Sequence, residues 1–137
     1  EIPSTVKIID TGAFYERIKL TSVTIPHSLT NIADWAFACC SRLETVIIPD
    51  SVTYIGKNAF RSCRSLVSVA IPASVAYIGE GAFDYCHNLS SIVIPKSVTS
   101  IGAGAFKNCE RLKNVSVPKN LQYPLNAFPI GAKISKY

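Results

Sequence analysis

The chain has 137 residues, of which 48% are hydrophobic, and a formal net charge of +5. No apolar run approaches the ~20 residues of a membrane span, so membrane insertion is not expected. Residues 1–94 carry seven Lys/Arg against eight Asp/Glu, whereas from Pro95 onward there are seven against Glu110 alone. A cationic last third can attract anionic surfaces, but no interleaved aromatics or recognition motif accompanies it, and nucleic acid is not an expected partner.

In chain order, the first feature is Glu1-Ile2-Pro3, which reads as the end of a repeat rather than as a signal peptide. The chain is therefore expected to be a segment of a longer protein. Proline then recurs every 23 residues, at Pro26, Pro49, Pro72, Pro95 and Pro118. Phe14, Phe37, Phe60, Phe83 and Phe106 keep the same interval, as do Leu20 through Leu112 and the cysteines Cys40, Cys63, Cys86 and Cys109. Such a period marks a stack of like supersecondary units, each unable to bury its apolar side alone.

The unit from Leu43 to Ser65 shows the logic. Val46 and Ile48 alternate with Thr45 and Ile47, the period of a strand with one face buried. Pro49 has no N–H for a ladder and ends the strand. Val52 and Ile55 return to the core. Gly56, repeated as Gly79 and Gly102, suits a sharp turn, where a positive φ would explain the glycine. Lys57 to Cys63 is expected to form one or two turns of helix or 3₁₀-helix. Stacked in register, the strands should form a parallel sheet with ~4.8 Å spacing. The first unit, with Asp10 in the glycine column and Arg17 in the cysteine column, reads as an edge rung. The last is one residue short between Leu121 and Phe128 and lacks the cysteine.

The stretch IPDSVTYIGKNAFRSCRSLVSVAIP, Ile48 to Pro72, resembles the BspA-like, or Treponema-type, leucine-rich repeat, and five tandem matches cover about residues 2–121. The resemblance implies an α/β class: a right-handed leucine-rich repeat solenoid with one short parallel β-strand plus a turn or short helical segment per 23-residue repeat. Residues 1–137 would form a single solenoid, with 122–137 as a C-terminal cap or the start of a next segment. It also implies a cell-surface or secreted, non-catalytic module for protein binding or adhesion, partnered by a host or cell-surface protein. A structural spacer or self-association module is the alternative, and a carbohydrate-binding module a weaker one.

Candidate chemistry is sparse. Five cysteines, an odd number, argue against a complete disulfide framework, and four in one column are expected to be buried free thiols. Cys39, off that column, is the expected reactive one. Zinc would need closely spaced Cys/His pairs, but the column cysteines lie 23 apart and only His27 and His87 exist. His87 beside Cys86 has no third group to orient it, no paired carboxylates share a column, and Gly102-Ala103-Gly104 is a rung turn rather than a phosphate loop. No enzyme, metal or cofactor is expected.

The outward strand positions supply the candidate site. Thr45, Ser68 and Ser91 form a column of small polar groups beside an apolar strip of Ile47, Ala70 and Val93. A shallow face of this kind suits an extended protein edge better than a small molecule. The alternative contact is the basic region, represented by Lys96, Lys113 and Lys119. Tyr54, Tyr77 and Tyr123 are expected to share a further column, with Trp35 as another outer aromatic.

Overall fold

The computed structural model describes residues 1–137. Nine short strands run through it: β1 (Ser22–Thr24), β2 (Asn31–Ile32), β3 (Thr45–Ile47), β4 (Tyr54–Ile55), β5 (Tyr77–Ile78), β6 (Ser91–Val93), β7 (Ser100–Ile101), β8 (Asn114–Val117) and β9 (Lys133–Lys136). Every pairing is parallel. The register steps by 23 residues, as in Ser22 opposite Thr45 and Tyr54 opposite Tyr77. The chain is thus a repeat solenoid of about five turns, as the periodicity requires.

A rung carries up to two strands rather than the one expected. The longer ones, after each leucine, pair as β1-β3 and β6-β8-β9. The two-residue strands, which precede Ala33, Gly56, Gly79 and Gly102, pair as a second sheet in the order β2-β4-β5-β7. At the last rung the step shortens, with Asn114 opposite Lys133. The four residues missing from that turn leave room for β9 to close onto β8.

No helix occurs, which corrects the expected α/β class and its helical segment. The physical reason lies in where the N–H groups go. Between Gly56 and Cys63 alternate donors are spent differently. Ala59, Arg61 and Cys63 donate to carbonyls three residues back, whereas Asn58, Phe60 and Ser62 donate to Glu80, Ala82 and Asp84 of the next rung. A helix would use all of these donors internally and leave the rungs unjoined. Two left-handed residues per rung enforce the pattern, such as Asn58 (φ 53) with Ser62 (φ 61) and Gly81 (φ 61) with Tyr85 (φ 60).

The core is a set of columns. Phe14, Phe37, Phe60, Phe83, Phe106 and Phe128 stack with centroids 5.0–5.4 Å apart and planes within 15° of parallel. The thiols of Cys40, Cys63, Cys86 and Cys109 donate to the carbonyls of Phe14, Phe37, Phe60 and Phe83 at 3.1–3.2 Å. Each proline carbonyl accepts from the residue three further on, as Val52 to Pro49 and Val75 to Pro72, so proline both ends the strand and opens a turn.

The glycine column is also corrected. Gly56, Gly79 and Gly102 do not have positive φ. A Cβ on Gly79 would instead lie 2.6 Å from the Gly56 carbonyl carbon and the Lys57 nitrogen, and one on Gly102 would lie 2.6 Å from Glu80 Cα. Glycine is needed there because successive backbones touch.

Candidate functional site

The strand after each leucine places its middle residue inward and its neighbours outward. Val46 and Ile92 are buried, while Thr45, Ile47, Ser91 and Val93 are exposed. Ile47 and Val93 retain 61% and 59% of their surface, less than Ile8, Leu125 and Ile130 elsewhere on the chain, but on one strand face. Ser68 and Ala70 also face out, on either side of buried Val69. They differ in one respect. Residues 68–71 make no backbone hydrogen bond to either flanking rung, and only Val67 is bonded there, to Glu44 and Ser90 at 3.4 Å. The ladder is broken midway across the six-residue face, between β3 and β6. Nothing in the alternation of Ser68-Val69-Ala70 signals that break.

The basic residues flank the C-terminal sheet rather than forming one cluster. Lys113 immediately precedes β8 and its carbonyl accepts from the Lys133 nitrogen, whereas Lys119 lies beyond the other end of β8 and donates its N–H to the Tyr137 carbonyl. Lys96, one repeat before Lys119, places Nζ 5.7 Å from the Tyr137 ring. All three lysines are exposed.

The tyrosine column holds two members, not three. Tyr54 and Tyr77 stack face to face at 4.7 Å on the second sheet, so each covers one face of the other. Tyr123 instead packs edge-on against Phe128 at 5.2 Å, at the end of the core. Burial and the nearby Asp34 carboxylate push the Tyr54 hydroxyl pKa up. Burial does the same to Cys40, Cys63 and Cys86, which are held as neutral thiols. All five cysteines are free. No three His, Cys, Asp or Glu side chains converge as a metal-binding group.

One feature escaped the sequence. The left-handed column Trp35, Asn58, Gly81, Gly104 floors a groove on the turn face, walled by Lys57, Glu80, Arg61 and Asp84. A second near-glycine column, Gly12, Trp35, Asn58, Gly81 and Gly104 at 23-residue steps, is the signal that could have marked it.

A family profile described as BspA type leucine rich repeat region matches residues 1–113 and 77–128, in six copies. A leucine rich cell surface protein of Faecalibacterium prausnitzii is 32% identical, with a TM-score of 0.77, over 85% of this chain and 31% of its own. The T. pallidum leucine rich repeat protein is 33% identical, with a TM-score of 0.77, over 92% and 64%. A leucine-rich repeat protein from Bacteroides ovatus is 30% identical, with a TM-score of 0.76, over 93% and 40%. The chain thus spans less than two thirds of each of these proteins. No curated protein sequence matches it significantly.

Proposed function

The chain belongs to the BspA-type leucine-rich repeat family, and from that membership we propose that it is a non-catalytic protein-binding module of a cell-surface or secreted protein. Family membership carries a general role in protein interaction, and one relative is described as a cell-surface protein. The observation that carries the reading is the exposure of Ile47 and Val93 on strands otherwise lined by small residues. Thr45, Ser68, Ala70 and Ser91 leave the backbone accessible, so the partner would supply the large anchoring side chains, and modest affinity follows.

Binding to purified extracellular-matrix proteins tests this. Ile47→Arg and Val93→Arg place bulky charge on the face without entering the core. Unfolding midpoints should hold while binding falls. Normal binding by both variants, with loss on changing Tyr54 or Tyr77, would move the site to the second sheet.

Self-association or a spacer role is the second reading. Light scattering across a concentration series separates the two readings, since end-to-end assembly would raise the mass without any ligand.

A further inference from the structure

The two borders of the outward strand face change charge from one end of the stack to the other. One border is the position just before each strand, which reads Thr21, Glu44, Val67, Ser90 and Lys113. The other is the position after each proline, which reads His27, Asp50, Ala73, Lys96 and Lys119. All ten side chains are exposed. Each border thus runs from an acid flanking β3, through an uncharged residue in the next rung, to a lysine flanking β8.

Nothing nearby cancels this polarity. Lys133 and Lys136 on β9, beside β8, extend the basic end. Arg42 and Arg111 share the position before the leucines, so they add the same sign at both ends. The ion pairs within the chain are Lys57 with Glu80, Arg61 with Asp84 and His87 with Glu110, so Glu44, Asp50, Lys96, Lys113 and Lys119 are all left free for a partner. Along the middle of the face lie the exposed apolar side chains of Ile47, Val67 and Val93.

We propose that this face takes an extended protein segment laid along the solenoid axis, with basic residues over Glu44 and Asp50, acidic residues over Lys113 and Lys119, and apolar side chains between. This rests on the strand face being the contact surface, and it adds the charge pattern that the face selects and the way round its partner lies. The three rung steps from β3 to β8 span ~14 Å, which an extended chain covers in about four residues. A segment whose opposite charges stand that far apart meets both ends at once. A uniformly charged segment is repelled at one of them.

Amide NMR titration at low ionic strength with the end-capped heptapeptide KKFTFEE tests the proposal. The controls are KEFTFKE, with the same composition but unsegregated charge, and the uniformly charged KKFTFKK and EEFTFEE. KKFTFEE should shift resonances within residues 44–50, 67–73, 90–96 and 113–119, and should bind about fivefold tighter than each control, an advantage that shrinks as salt is added. A spin label on its lysine end should broaden residues 44–50 and spare 113–119. Glu44→Lys with Asp50→Lys, or Lys113→Glu with Lys119→Glu, should abolish that advantage while the spectrum stays dispersed. All four changes together should restore it and move the broadening to 113–119. Equal binding of KKFTFEE and KEFTFKE, or a label position unmoved by the fourfold exchange, would overturn the polarity and leave the strand-face reading standing. Absence of any shift on the face with all four peptides would overturn the proposal at its premise.

Discussion

Adding one methyl group at Gly79 should be among the most damaging small changes possible in this chain. The new Cβ would sit 2.6 Å from the Gly56 carbonyl carbon and the Lys57 nitrogen, where ordinary contact begins at 3.4 Å. Both opposing atoms are backbone, so the relief available is to part the rungs by about 0.8 Å locally against a ~4.8 Å strand spacing. The bond from the Gly79 nitrogen to the Ile55 carbonyl, now 2.8 Å, would lengthen beyond useful range. Overpacking of this kind costs roughly 1–3 kcal/mol, and the lost hydrogen bond adds about 1. Gly79→Ala should therefore destabilise by about 2–4 kcal/mol, read as a lowered urea midpoint. Gly104→Asn is the contrast. There φ is +64° and the nearest atoms to a Cβ are 3.7 and 3.8 Å away, so a residue that tolerates the left-handed region should cost under about 1 kcal/mol. If Gly79→Ala matches the parent, or Gly79→Asn is tolerated as well as Gly104→Asn, the contact between successive backbones is not what demands glycine.

Other perturbations follow from the same columns. Phe60 is fully buried between Phe37 at 5.4 Å and Phe83 at 5.2 Å, so Phe60→Ala should cost about 3–5 kcal/mol in a denaturant titration. Cys63 and Cys86 should resist alkylation until the chain unfolds, with Cys39 labelled first; a Cys63–Cys86 bridge in non-reduced peptides would overturn that packing. Burial raises the folded pKa of Cys40, Cys63 and Cys86, so the native state keeps protons that the unfolded chain releases above about pH 8.5. Stability should accordingly be retained below that pH and fall as pH rises through the alkaline range, by up to about 1.4 kcal/mol per unit per thiol; a flat alkaline profile would contradict it. If an anionic partner uses the basic region, affinity should drop steeply with salt and on replacing Lys96, Lys113 and Lys119 with Gln, and salt-independent binding would exclude that contact.

The phenylalanine and cysteine columns were legible because a strict register repeats each core position, and Phe37 through Phe106 lie where the spacing puts them. The outward alternation of Thr45 and Ile47 about Val46 was legible for the same reason. What escaped depends on neighbours rather than on the local chain. Lys57 to Cys63 contains no residue that forbids a helix, yet alternate N–H groups are claimed by the next rung, a demand invisible within one repeat. Tyr54-Ile55 is too short to display alternation and becomes a strand only through its copies at Tyr77-Ile78 and Ser100-Ile101. Gly79 looks like any turn glycine until the rung beneath it is in place.

If the outward strand face is the contact surface, amide NMR mapping of the complex with a matrix protein found by the binding screen will show it. Perturbations should centre on residues 45–47, 68–70 and 91–93, and should be absent when the concentration of the chain alone is raised. Perturbations confined to the second sheet around Tyr54 and Tyr77, or concentration-dependent shifts at Phe14, Leu20 and residues 133–136 without a partner, would contradict it.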